Sequence, residues 1–145
     1  MKAFLYLLCI SAFISGCDGS KLSPTPDNQF IGTWQLEGRS MLDSIQIIIQ
    51  RNEEGELQGR IYKLNSNKYV QLFVDSNSVF VSKIVRNSNF EFALTEKKVA
   101  NELLSTYDLS GSSELKAEFI SKDLIGLTTG NAKPKDSKVR YKRVK

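Results

Sequence analysis

Residues 30–37 read Phe-Ile-Gly-Thr-Trp-Gln-Leu-Glu, and they show the pattern from which the fold class is predicted. Its apolar and small residues alternate with polar ones, a period of two that is typical of a β-strand with one buried face. On this pattern Phe30, Gly32, Trp34 and Leu36 share one face. The same alternation recurs in three further segments, residues 45–50, 90–95 and 115–119. The sequence therefore predicts an all-β chain.

Clusters of Asn, Asp, Gly and Ser separate these segments at intervals of about 10–12 residues. Short strands joined by tight turns of this composition favour an antiparallel meander, hence a small barrel or a sandwich. About nine strands fit the available length at this spacing. The turn clusters occupy residues 52–55, 65–67, 75–77, 87–89, 110–112 and 121–123.

Residues 95–104 read TEKKVANELL and depart from this alternation. Their apolar side chains fall on one helical face, and Thr95 is a suitable N-cap, although the glutamate that completes a capping box is missing. The pattern is compatible with a short helix or with a long connection between strands, and the sequence leaves both open.

The N-terminus, residues 1–16, reads MKAFLYLLCISAFISG. Lys2 precedes about a dozen mostly apolar residues, too few for the roughly 20 that a transmembrane helix needs, and this arrangement predicts a secretory signal peptide. The segment Ile14-Ser15-Gly16-Cys17 resembles the lipobox of bacterial lipoproteins. The resemblance implies that residues 1–16 are removed and that the lipidated Cys17 anchors the chain to a membrane. The alternative is an ordinary signal peptide that contains a cysteine.

The lipoprotein resemblance extends to the residues that follow Cys17. Asp18 is similar to the inner-membrane retention signal of enteric bacteria, which implies an inner-membrane protein facing the periplasm; otherwise the protein belongs in the outer membrane. Residues 17–28 contain Pro24 and Pro26 and no apolar periodicity, so we interpret them as a lipidated cysteine and a flexible tether. The domain then comprises residues 29–145.

The composition excludes several classes of chemistry. The chain has no histidine, which rules out His-based triads and His-ligated zinc sites. Cys9 leaves with the signal peptide and Cys17 receives lipid, so we expect no disulfide in the mature domain. With no nucleophile–base pair and no set of metal ligands, the sequence predicts a protein that is not an enzyme and carries no cofactor or metal.

The tripeptide Gly32-Thr33-Trp34 resembles the Gly-x-Trp signature of lipocalins and their bacterial relatives. The resemblance implies an eight-stranded barrel in which Trp34 plugs the closed end. It also implies an arginine from the last strand stacked on the indole, for which Arg143 is the first candidate and Arg140 the second. The alternative is that Trp34 is a core aromatic residue of another β-sandwich.

Positive charge is concentrated at the C-terminus. Residues 133–145 hold seven basic residues and one acidic residue, whereas residues 17–132 hold 12 basic and 15 acidic residues. Lys133, Lys135 and Lys138 are candidates for contact with anionic lipid headgroups, the alternative being a solvated final strand that resists edge pairing. An exported protein does not meet nucleic acid, so we expect no such partner.

Two functions remain open. The first is a non-catalytic binding or accessory domain of the cell envelope, with an envelope protein as its partner and a barrel filled by its own side chains. The second is a carrier of an apolar small molecule or lipid in a hollow barrel, which requires an apolar cavity of about 300 Å³ or more. The side chains expected to fill the interior are Phe30, Trp34, Phe90, Phe92 and Phe119.

Overall fold

The computed structural model describes residues 23–145, which form a closed eight-stranded antiparallel barrel. The strands are β1 Gly32–Glu37, β2 Gln46–Arg51, β3 Leu57–Lys63, β4 Val79–Arg86, β5 Glu91–Lys97, β6 Ser112–Ser121, β7 Leu124–Thr128 and β8 Arg140–Arg143. The connections hold the α-helices α1 Lys68–Phe73 and α2 Asn101–Thr106, and 3₁₀ helices at Ser40–Leu42 and Pro134–Asp136; another 3₁₀ helix, Asp27–Phe30, precedes β1. Among the described residues, no helix combines the length and apolarity needed to cross a bilayer.

Every strand pairs with its neighbours in sequence, and β1 pairs with β8 to close the sheet. In that closing ladder Trp34 is opposite Arg143, and Leu36 is opposite Tyr141. The prediction of a small antiparallel meander barrel is therefore confirmed, with eight strands where the turn spacing left room for about nine.

The two ends of the barrel differ in their connections. At the end where β1 begins, short turns join β2 to β3, β4 to β5 and β6 to β7, and the 3₁₀ helix Asp27–Phe30 lies beside them. We call this the closed end. At the opposite end, here called the open end, the four longer connections contain α1, α2 and the two remaining 3₁₀ helices.

An aromatic cluster fills the closed half of the barrel. The ring of Phe30 contacts those of Phe92 and Phe119 edge-on, with centroids 4.8 and 4.7 Å apart, and Trp34 lies 6.1 Å from Phe119. The indole Nε1 of Trp34 also donates a hydrogen bond of 2.6 Å to the carbonyl of Phe30. The expectation was wrong for Phe90, which is 38% exposed because it lies in the turn before β5.

The segment 95–104 is divided between a strand and a helix. Residues 95–97 continue β5, where Thr95 pairs with Glu114 of β6, so Thr95 is not a helix N-cap. The helix α2 begins only at Asn101, after Ala100 turns the chain at a φ of 59°. The sequence did not predict α1, which is capped by the side chain of Asn67.

Candidate functional site

At the closed end, Arg143 joins the last strand to the start of the first. Its guanidinium carbon lies 4.1 Å from the ring centroid of Trp34. Its Nη2 and Nη1 donate hydrogen bonds to the carbonyls of Gln29 and Ile31, at 2.6 and 2.9 Å. Asp123 forms an ion pair with the same guanidinium at 3.1 Å. A planar fork can make all these contacts at once, which a lysine cannot.

Gly32 makes room for this arginine. Its φ is +138°, a backbone conformation that residues other than glycine rarely adopt. A Cβ at this position would lie 2.5 Å from Nη1 of Arg143. Arg140, the second candidate for stacking on the indole, instead donates from Nε to the carbonyl of Ser137 at 2.8 Å. The closed end therefore has a packing role, and its polar groups are occupied by one another.

The other residues that the sequence singled out lie apart from the contact between Arg143 and Trp34. Lys135 forms an ion pair of 2.9 Å with Glu118 on the outer surface of the barrel. Cys17 and Asp18 lie outside the described residues. The three lysines proposed for lipid contact are exposed in the connection between β7 and β8: Lys133, Lys135 and Lys138.

Inside the barrel, toward the open end, a carboxylate is held between an arginine and a tyrosine. Glu96 continues the inward face of β5 after Leu94 and is only 2% exposed. Its Oε1 accepts a hydrogen bond of 2.5 Å from the hydroxyl of Tyr141, and its Oε2 binds the guanidinium of Arg39. Because a buried carboxylate is costly without partners, these two contacts explain how Glu96 is tolerated in the core.

The tyrosine of this group is held in its neutral form. Burial raises the pKa of Tyr141 well above its ordinary value, and the negative charge and hydrogen bond of Glu96 raise it further, while Arg39 acts in the opposite direction. Tyr141 therefore remains a hydrogen-bond donor at neutral pH. It is not poised to act as a base or a nucleophile there.

A cavity of about 470 Å³ opens beside this group, within the range of ordinary small-molecule pockets. It lies among the open-end connections, and its lining mixes cationic, hydroxyl and apolar groups, so it is not the purely apolar cavity that a hollow barrel requires. The lining consists of Glu96 with Arg39, Lys97 and Lys98; Ser113, Thr128, Thr129 and Ser137; and Leu42, Val99, Leu115, Leu127 and Val139.

The sequence did not single out Glu96, although a signal for it existed. Phe92, Leu94 and Glu96 share one strand face, so extending the alternation by one step places a carboxylate inside the barrel. The helical pattern assigned to residues 95–104 concealed that step. Alternation along the last strand places Tyr141 on the same face as Arg143, but the sequence alone indicates no partner for its hydroxyl.

Comparisons with known proteins leave the family open. No protein-family model matches the chain, and neither the curated proteins nor the solved structures contain a significant match. Within residues 23–145, no group of three or more Asp, Glu, Cys or His side chains could hold a metal ion. The assignment of function therefore rests on the fold and on the open end.

Proposed function

We propose that the mature chain is a lipid-anchored lipoprotein of the cell envelope, whose barrel is a non-catalytic binding domain that makes its contacts through the open end. The observation that carries the proposal is the difference between the two ends. At the closed end Arg143 and Trp34 are engaged in packing, and the surface cleft at the turn between β2 and β3 has a wholly polar lining. At the open end, a cavity of about 470 Å³ is lined by polar and apolar groups together.

The state of the polar groups favours binding over catalysis. Both carboxylate oxygens of Glu96 are engaged, one by Arg39 and the other by Tyr141, whose raised pKa keeps its proton in place. A general acid or base needs a proton that is exchangeable near the working pH. This group instead braces the wall of the cavity.

The anchor is supported by the lipobox-like Ile14-Ser15-Gly16-Cys17 and by the short segment that follows it. Two or three acyl chains on Cys17 would hold the protein firmly, since each buried methylene contributes about 0.8 kcal/mol. The similarity of Asp18 to the retention signal of enteric bacteria supports an inner-membrane location facing the periplasm, the alternative being the outer membrane.

The intact mass of the protein extracted from membranes tests the anchor. We expect a species that begins at Cys17 and carries the mass of a diacylglycerol, with or without a further acyl chain. A Cys17→Ser variant should lose both the added mass and the cleavage before residue 17. An unmodified mature chain, or one that starts at another residue, would end the lipoprotein proposal.

Photo-crosslinking in cells tests the use of the open end. A photoreactive amino acid at Val99, which lines the cavity, should give specific adducts, whereas one at Val85, exposed on the outer face of β4, should not. Adducts at Val85 alone would contradict the proposal.

A second candidate function, carriage of an apolar small molecule or lipid, is favoured by one observation. The cavity of about 470 Å³ exceeds the minimum size of ordinary ligand pockets, about 300 Å³. Native mass spectrometry of the detergent-extracted protein distinguishes the two functions. A stoichiometric ligand of lipid size that is lost in Val99→Trp, which blocks the cavity, but kept in Val85→Trp would establish the carrier. A mass equal to that of the lipidated chain with no bound ligand would support the binding domain.

A further inference from the structure

Large apolar side chains are exposed together on the two helices of the open end. Leu72 is 73% exposed, Tyr107 is 71% and Tyr69 is 65% exposed. We call this surface the apolar rim; it comprises Tyr69, Leu72 and Phe73 of α1, and Leu103, Tyr107 and Leu109 of α2 and the loop after it. Nothing else in the described part of the chain covers these side chains.

A groove runs between the two helices of the apolar rim. A cavity of about 320 Å³ separates the helices, with Leu72 and Phe73 on one side and Leu103 on the other. Lys97 and Lys98 line both this groove and the larger cavity beside Glu96. A partner seated on the rim would therefore also cover the mouth of the barrel.

The area of the rim matches that of a stable protein contact. With exposed fractions of 46–73%, and aromatic side chains that bury roughly 150–250 Å², the six side chains present roughly 600 Å² of apolar surface. A standard protein interface buries about 800 Å² per partner, so the rim would supply most of one side of such a contact.

The charges at the groove indicate which partner fits. Asp75 lies on the α1 side, whereas Lys97 and Lys98 lie on the α2 side. A two-fold axis along the groove places the cationic side of one copy opposite the acidic side of the other. A surface of one charge, such as an anionic bilayer, would be attracted to one side of the groove and repelled by the other.

The position at which the chain enters the barrel agrees with this geometry. The backbone N–H of Thr25 donates to the carbonyl of Asn89, in the turn between β4 and β5 at the closed end. Pairing through the open ends leaves both entry points uncovered at the far ends of the dimer. The seven residues from Cys17 to Ser23 reach about 24 Å when extended, so two barrels lying along one membrane could both remain anchored.

We propose that two copies of this chain associate through the apolar rim, open end to open end, and that each copy closes the mouth of the other barrel. The inference deepens the proposed function, on which it rests for the use of the open end, by identifying the partner as a second copy. The dimer is isologous, so each rim residue enters the interface twice.

Disulfide trapping in the native membrane tests this proposal directly. The chain has no cysteine after Cys17, so an introduced one is the only free thiol of the lipidated protein. Under mild oxidation, Leu72→Cys on one copy and Leu103→Cys on a second, co-expressed copy should produce a covalent dimer, because the two-fold axis along the groove places the α1 side of one copy opposite the α2 side of the other. Val85→Cys, also exposed but on the barrel wall, should remain monomeric. Equal trapping at Val85 would show random collision and overturn the proposal.

Sedimentation velocity of the full-length protein in mild detergent gives an independent measurement. We expect a concentration-dependent dimer whose Kd rises about 100-fold in Leu72→Glu, because the two-fold repeats a roughly tenfold effect. Val85→Glu should leave the Kd unchanged. A monomer at every concentration, or a dimer insensitive to both Leu72→Glu and Leu103→Glu, would refute the proposed interface.

The same measurements separate this inference from the function on which it rests. If photo-crosslinks at Val99 join the chain to a different protein while sedimentation shows a monomer, the second copy is wrong and the open-end binding site stands. Co-sedimentation of the monomer with phosphatidylglycerol vesicles, lost in Leu72→Glu, would assign the rim to a bilayer and overturn the dimer.

Discussion

Replacing Arg143 by lysine tests whether the closed end depends on a planar guanidinium rather than on a positive charge. Arg143 places its guanidinium over Trp34 and donates to the carbonyls of Gln29 and Ile31 at 2.6 and 2.9 Å. It also pairs with Asp123 at 3.1 Å. A lysine keeps the charge and can satisfy one of these partners, but it cannot reproduce the fork.

The expected loss follows from those contacts. A hydrogen bond to a charged group contributes about 1.5–3 kcal/mol, and the side chain of Arg143 is partly exposed at 23%, which lowers its share. We expect Arg143→Lys to reduce the free energy of unfolding by about 2–3 kcal/mol. At a urea dependence of about 1–3 kcal/mol per molar, the midpoint falls by roughly 1–2 M.

Urea unfolding of residues 23–145, followed by fluorescence, measures this change. Trp34 is the one tryptophan of the chain and is fully buried beside the guanidinium, so its emission reports directly on the closed end. Arg140→Lys is the matched control, since Arg140 donates one hydrogen bond, to Ser137. Arg140→Lys should lower the free energy of unfolding by about 0.5–1 kcal/mol. Equal shifts of the urea midpoint in Arg143→Lys and Arg140→Lys would refute the conclusion that the guanidinium of Arg143 stabilises the closed end.

Three further changes have definite expected outcomes. Gly32→Ala should cost about 1–3 kcal/mol and shift the tryptophan emission, because its Cβ would collide with Arg143 at an unfavourable φ. Above pH 10.0, the ordinary pKa of tyrosine, the unfolded chain ionises while Tyr141 stays neutral. Stability should therefore fall by up to about 1.4 kcal/mol per pH unit, and less steeply in Tyr141→Phe, as pH-dependent urea unfolding can show. Phe92→Ala should cost about 3–5 kcal/mol by the same assay, whereas Phe90→Ala, at a half-exposed turn, should cost about 1 kcal/mol or less.

The strands β1, β2, β5 and β6 could be predicted from the sequence because alternate residues are buried, whereas β4 and β7 bury consecutive residues and show no such alternation. Trp34 and Leu36 in β1, and the isoleucines of β2, repeat at two-residue intervals, and this period is enough to assign a strand without knowing its neighbours. The helices of the open end leave a weaker signal: residues 95–104 predicted either a short helix or a connection, and α2 begins at Asn101 within that segment, whereas α1 was not predicted. Each has six residues, less than two turns, so no repeat of 3.6 residues can be recognised within it.

The pairing of Trp34 with an arginine of the last strand was expected from the resemblance of Gly32-Thr33-Trp34 to the lipocalin signature, and Arg143 was its first candidate. Gly32 and Trp34 begin the first strand, Arg143 ends the last, and the closure of the sheet brings them together. Phe90 shows the limit of reasoning from alternation. The alternation assigns it to the interior, but the strand begins one residue later, and a turn residue is free to face solvent.

The open end resists prediction for a different physical reason. Its cavity exists because loops from three distant parts of the sequence meet, and loop conformation depends on contacts that no local pattern encodes. Glu96 is instructive here, since a charged residue at an inward position contradicts the pattern that defines the strand. That position is stable only because Arg39, 57 residues earlier, and Tyr141, 45 residues later, supply its partners. The alternation of apolar and polar residues, which correctly assigns the core, therefore fails at Glu96, the residue that supports the wall of the candidate binding cavity. Such exceptions to local sequence patterns are expected at functional sites.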